Sequence, residues 1–244
     1  LTHRNWTALG RPDLAAYPIV EPRGLVTPLF DGWSLDLWLL PAAGDPLVPS
    51  RCPEAEQELT WEPAPCITTR CGTRGCSLET SASLAGTRND PALELVTTGA
   101  CSGGGRLVAA LRPYNPEGIQ FVERVEARPG GTGWIVDGKS RVDFNEPPEV
   151  QLFSNYREGD VFQKALAPSS GEREAAVECE VGMATAAAIF DLPRDGGRKV
   201  RFRIPLDGKP GKPDRTRVGE DSRPEEAWAS WLSGAPRLEI PDPR

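Results

Sequence analysis

The sequence of 244 residues holds 25 Gly and 25 Pro, so backbone punctuation interrupts it throughout and long helices are scarce. A hydrophobic share of 39% suits a folded core and excludes disorder and collagen, and the length fits one large domain or two small ones. A net charge of -7, with only five Lys among the 28 basic residues, disfavours nucleic acid and other polyanions as partners.

No apolar run approaches the roughly 18 residues that cross a bilayer, so no membrane partner is expected. The start, Leu1-Thr2-His3-Arg4-Asn5-Trp6, lacks both an initiator Met and an apolar signal core, and the ends read as trimmed. The first clear element is a hairpin: strand 25–30, an Asp31-Gly32 two-residue turn, and strand 33–40. In its second strand Trp33, Leu35, Leu37 and Leu39 share a core face, while Ser34, Asp36, Trp38 and Leu40 form a mixed one.

Extended runs bounded by Gly, Pro or Asn follow about every ten residues, at 56–61, 66–71, 76–84, 92–98, 105–111, 118–127, 133–137, 139–144, 149–154, 175–181 and 198–206. Six cysteines (52, 66, 71, 76, 101, 179) lie among them, an even number that permits disulfides of undetermined pairing. The spacing Cys66-x4-Cys71-x4-Cys76 has no CxxC knuckle and the sole His is His3, so no metal and no cofactor is expected. Cys179 alternates with Val177 and Val181 and suits a buried thiol or half of a structural bridge.

Met183 to Leu192 is ambiguous, because Ala184, Ala186, Ala187 and Ala188 favour helix while the flanking runs favour strand. In the last strand Val200, Phe202, Ile204 and Leu206 oppose Lys199, Arg201 and Arg203, as an antiparallel strand with one wet face requires. A dozen or so strands without helical alternation predict an all-β fold, a large antiparallel sandwich over 1–206. The polar, breaker-rich stretch after Leu206 makes 207–244 a linker with a short C-terminal helix. There Pro224 and the acids behind it supply start chemistry, and Trp228, Trp231 and Leu232 form an i, i+3, i+4 stripe that must bury against something.

Several motifs invite a function. Gly133 to Ser140 spells GxxxxGK[ST], yet Trp134-Ile-Val136 is itself strand-like and Asp137-Gly138 is a hairpin signal, so no helix follows to receive phosphate. The single His3 in a terminal stretch gives poor support to a Ser-His-Asp triad, and Asn5-Trp6-Thr7 is a glycosylation sequon by pattern alone. Acidic residues are plentiful, but no spacing certifies a glycosidase pair. Three polar-aromatic clusters could meet a sugar through ring stacking and hydroxyl partners: Asp31, Trp33, Asp36 and Trp38; Arg112, Tyr114, Asn115 and Glu117; Asn155, Tyr156, Arg157, Glu158 and Asp160. Turn and core roles compete with that reading for each.

Taken together, Asn5-Trp6, Glu21-Pro-Arg-Gly-Leu25, Asp31-Gly-Trp-Ser-Leu-Asp36, Arg112-Pro-Tyr-Asn-Pro-Glu-Gly118 and Tyr156-Arg-Glu-Gly-Asp-Val161 give the chain a resemblance. It resembles the N-terminal β-supersandwich domain of bacterial glucoamylase-like glycoside hydrolases, family 15 and its glycogen-debranching relatives, over most of 5–243. The Cys-rich stretch 52–101 and the scarcity of Lys stand outside that pattern. The resemblance implies that Pro224 to Leu232 is the helical linker and that Ile240-Pro-Asp-Pro243 leads to an (α/α)6 barrel. It further implies that the general acid and base are glutamates of that barrel, so no catalytic residue is expected here. On this expectation the sandwich packs on the barrel, a later domain or a separate chain, and shapes the rim of its active site, with Trp228, Trp231 and Leu232 as packing residues and an oligosaccharide as the expected substrate of the whole. The alternatives are a free-standing carbohydrate-binding module and a self-contained carboxylate-pair glycosidase.

Overall fold

The computed structural model describes residues 6–29, 31–167, 175–206 and 221–234. His3, Asn5, the 207–219 linker and Ile240 to Pro243 lie outside the described residues. The strands are β1 Thr7–Ala8, β2 Ile19–Val20, β3 Val26–Thr27, β4 Ser34–Pro41, β5 Glu56–Thr60, β6 Cys66–Thr73, β7 Cys76–Gly86, β8 Pro91–Cys101 and β9 Gly105–Arg112. They continue with β10 Tyr114–Asn115, β11 Gly118–Ile119, β12 Arg124–Ala127, β13 Gly133–Val136, β14 Ser140–Phe144, β15 Val150–Ser154, β16 Ala176–Glu178, β17 Thr185–Leu192 and β18 Gly197–Pro205. Two helices are described, α1 Val161–Leu166 and α2 Pro224–Leu232.

The fold is an all-β sandwich. One sheet runs β1-β2-β3-β4-β9-β17-β15, the other β16-β12-β13-β14-β18-β8-β7-β6-β5, and β10 pairs with β11 as a separate ribbon. Between the sheets, Leu35, Leu37 and Leu39 of β4 and Leu107, Ala109 and Leu111 of β9 join Leu93, Leu95, Val200, Phe202 and Ile204 in one buried cluster. Trp134, Phe144, Phe190 and Phe202 lock its centre through edge-to-face contacts with ring centroids 5.0 to 6.0 Å apart. The opposite face of β18 is wet as expected: Arg203 pairs with Asp90 at 2.7 Å and Arg201 with Glu94 at 3.6 Å.

The alanine run resolves as strand. β17 pairs over seven residues with β9 and over five with β15, so ladder hydrogen bonds on both sides outweigh a propensity worth about half a kcal/mol per residue. Both of its faces are buried, because α1 lies across the outer side of this sheet. Val161 and Ala165 of α1 pack with Trp38, Leu40, Val108, Ala110, Ala187 and Ile189 in a second apolar cluster. The second face of β4 is therefore a buried layer.

Other expectations need correction. The β3–β4 connection is longer than two residues: Val26 pairs with Leu35, and Gly32 donates to the Leu29 carbonyl at 2.7 Å, closing a turn that Gly32 ends. The run 118–127 breaks into β11 and β12, and 175–181 shortens to β16 because a turn from Cys179 to Gly182 swings Val181 out to 52% exposure. The GxxxxGK[ST] segment is the β13–β14 hairpin, with Asp137 (φ 51°) and Gly138 (φ 65°) at its tip.

Helix α2 occupies the predicted span, entered by Pro224 with the Glu226 carboxylate accepting from Arg223 N–H at 3.0 Å. It is seated on the sandwich by two ties. Trp228 Nε1 donates to the Gly10 carbonyl at 3.1 Å, and Arg11 donates to the Ser222 carbonyl at 2.7 Å. Arg11 is itself held by the Asp13 carboxylate, both side chains being almost wholly buried.

Candidate functional site

Strand alternation separates Trp33 from its sequence neighbours. Trp33 lies in the inter-sheet core, whereas Asp36 and Trp38 face the layer under α1, and Asp31 is exposed at the β3–β4 turn. Arg112, at the end of β9, stands opposite Ser34 and on the same side as Asp36. Its guanidinium forms a bidentate pair with the Asp160 carboxylate, Nη1 to Oδ1 at 2.7 Å and Nη2 to Oδ2. It also lies over the rings of Trp38 at 5.4 Å and Tyr114 at 5.3 Å. Three segments that the sequence treated separately thus meet at one arginine.

The local sequence explains each member. Asp160 leaves β15 through the Gly159 turn and caps α1, accepting from Phe162 N–H at 2.8 Å. Phe162 then closes on Trp38 edge-to-face at 5.1 Å. Asn115 accepts from the backbone of Glu117 and Gly118, which fixes the Pro-Tyr-Asn-Pro turn and so the position of Tyr114.

Electrostatics sort the carboxyls into two kinds. Burial works against the Asp160 charge, but the paired donors of Arg112 overcome it and hold this carboxyl below its usual range. Burial dominates at Asp36, 4% exposed, and lifts it to about 6 despite the opposing pull of Trp38 and Arg112. Glu21 is also raised, by partial burial, with Arg23 opposing. The indole N–H of Trp38 and the Nε–H of Arg112 are buried and close no hydrogen bond among the described residues, although Trp38 lies near enough to Asp36 to favour its charged form.

Tyr156 and Arg157 stand apart from this cluster, in a cleft of about 250 Å³ lined also by Asn155, Glu178, Cys179, Glu180 and Val181. The Tyr156 ring is 70% exposed, and Arg157 reaches Glu180 at 3.5 Å. Burial of the Cys179 thiol is outweighed by backbone N–H groups of Tyr156, Met183 and Val181, which hold it below its usual value. Phe121, 74% exposed, lies against Gly182 and adds to the apolar surface next to Val181. A second, wider groove of about 800 Å³ opens at the hairpin ends, lined by Thr73, Cys76, Cys101 and Arg194 to Gly197. Among the described residues no group of His, Cys, Asp and Glu could hold a metal ion.

On α2 the predicted stripe divides. Trp228 is half-buried between Trp61 and Trp231, with centroids at 6.3 and 5.9 Å, while Trp231 and Leu232 are 49% and 54% exposed. Trp61 and Glu21 are site residues that sequence reasoning passed over, and Arg112, noticed beside Tyr114, was not seen as the hub. Arg112 and Glu21 stand within motifs already noticed, but only strand pairing shows what they touch.

No family model and no curated protein matches the chain. Among solved structures it is similar to a bacterial glucoamylase complexed with acarbose, with a TM-score of 0.55 and 9% identity. The match covers 93% of this chain and 34% of that one, so the chain spans about a third of the length of its structural neighbour. At that identity the likeness is one of fold.

Proposed function

We propose that the chain is a non-catalytic sandwich domain of a glycoside hydrolase, placed before an (α/α)6 barrel that cleaves glycosidic bonds with its own carboxylates. The observation that carries this reading is the extent of the likeness: nearly the whole chain superposes on a third of a glucoamylase. Two features of the site agree with it. Asp160 is committed to Arg112, and Asp36, the carboxyl lifted furthest toward an acid's range, is 4% exposed beside Trp38 and Arg112, so neither is free to meet a glycosidic oxygen. Trp231 and Leu232, about half exposed on a firmly seated helix, are the packing residues for the catalytic part; burying the remaining half of each would contribute about 1 to 1.5 kcal/mol.

A carbohydrate-binding module is the second reading, favoured by the exposed Tyr156 ring beside Arg157 and Glu180. One pair of measurements separates the readings. The purified chain should release no nitrophenol from aryl glucosides, and its Trp fluorescence should not change on titration with malto-oligosaccharides. Saturable binding lost in Tyr156→Ala would replace the first reading by the second. Turnover lost in Asp36→Asn or Glu21→Gln would establish a self-contained enzyme.

A further inference from the structure

Cys76 and Cys101 stand opposite each other across β7 and β8 and are joined by a disulfide. The other four cysteines are thiols in this structure, and they are not equally placed. Cys66 is half-buried at the start of β6, and Cys179 sits in the Tyr156 cleft. Cys52 and Cys71 are brought together by the backbone. The β5–β6 register pairs Glu56 with Arg70, so one residue further Ala55 stands opposite Cys71. Ala55 N–H donates back to the Cys52 carbonyl at 3.4 Å, which folds Cys52 over that position. Cys71 alternates with Ile67 and Thr69 on the inward face of β6, and both cysteines belong to the inter-sheet core, at 9% and 7% exposure. The Cys71 thiol is pushed up to about 12, by burial first and then by its neighbour Cys52.

We propose that Cys52 and Cys71 form a second disulfide, stapling the β4–β5 connection to β6. A disulfide donor such as glutathione disulfide supplies the oxidation. One cysteine thiolate attacks a donor sulfur and releases a donor thiolate, leaving a mixed disulfide. The second thiolate attacks the protein sulfur of that bond, closing Cys52–Cys71 and releasing the other donor thiolate. Two protons leave the protein and two electrons reach the donor. Because the folded environment suppresses the Cys71 thiolate, exchange belongs to the folding chain, before the core closes.

The staple would act at one edge of the nine-stranded sheet. β5 is an edge strand of that sheet and, among the described residues, pairs only with β6, and the closed loop 52–71 carries Trp61, which meets Trp228 of α2. The bond thus fixes the loop that Trp228 of α2 meets, whatever the function of the domain.

The test is a thiol count on the whole chain refolded in a mixture of glutathione and glutathione disulfide, acid-quenched, denatured and alkylated. Two labelled thiols, Cys66 and Cys179, with one peptide linking Cys52 to Cys71 in the mass spectrum, is the expected result. Four labelled thiols, or Cys71 linked to Cys66, would overturn the proposal. A chain carrying both Cys76→Ser and Cys101→Ser isolates the second bond. Reduction should lower its Tm by about 5 to 10 °C, and adding Cys52→Ser should abolish that response. A reduction-dependent shift that survives Cys52→Ser would also overturn it.

Discussion

Replacing Asp36 by Asn should stabilise the chain at neutral pH and leave it unchanged in acid. The side chain is 4% exposed, and burial lifts its carboxyl from an ordinary 3.8 to about 6. Below about pH 4 the folded and unfolded chains both hold the proton, and the group contributes no difference. Between the two values the folded chain keeps a proton that the unfolded chain has released, so stability falls as pH rises. Above about pH 6 the full difference is present; about two pH units at 1.36 kcal/mol each makes it about 3 kcal/mol. Asn has the shape of the protonated carboxyl and no charge to desolvate. Urea melts followed by Trp fluorescence should therefore show Asp36→Asn gaining about 1 to 3 kcal/mol at pH 7.5, with the gain shrinking through pH 5 and vanishing near pH 4. A variant weaker than the parent at pH 7.5 would refute the reasoning, because it would mean that Arg112 holds Asp36 as an ion whose attraction exceeds its desolvation.

Arg112→Met removes the bidentate partner of Asp160 and the cation over Trp38 and Tyr114. Because the Asp160 side chain is 44% exposed, we expect a loss of about 2 to 3 kcal/mol in urea melts, with clear coupling to Asp160→Ala in a double-mutant cycle. Gly133→Ala would press a Cβ to within 2.1 Å of the Val142 carbonyl at φ +151°, so it should destabilise by more than 2 kcal/mol. Lys139→Ala, the other diagnostic position of a phosphate loop, should leave the melt unchanged, and neither variant should alter a nucleotide titration that is flat in the parent. In the reduced chain at pH 7, iodoacetamide should label Cys179 well before Cys71, as peptide mapping over a time course would read; equal rates would contradict the opposite shifts of the two thiols.

The strand periodicity and the final helix were legible because each is a local signal. Alternation in β18 places Val200, Phe202 and Ile204 inward whatever the sheet they join, and Pro224 with its acidic first turn starts a helix without tertiary help. The Asp31-Gly32 hairpin illustrates the limit of such signals. The dipeptide does mark a chain reversal, but Gly32 closes the turn from the last position, with the β3–β4 ladder starting further out, so the register followed from packing. The polyalanine strand shows the same limit from the other direction. Small side chains satisfy helix propensity, yet here they let α1 and the inter-sheet core approach one strand from both sides.

The site was half legible for a related reason. Asp36, Trp38, Tyr114 and Asp160 were each visible as unusual polar or aromatic residues near a turn, but nothing local joins β4 to the cap of α1. The missing element is α1 itself, six residues long and below the length at which periodicity speaks, although its Asp160 cap and the Val161 and Ala165 spacing were present. Once α1 is laid on the sheet, the mixed face of β4 becomes an interior, and its Asp and Trp read as a buried polar network anchored by Arg112. A sugar-stacking role needs a ring that reaches solvent. That condition moves the carbohydrate question away from Trp33 and Trp38 and onto Tyr156, where one substitution and a fluorescence titration decide it.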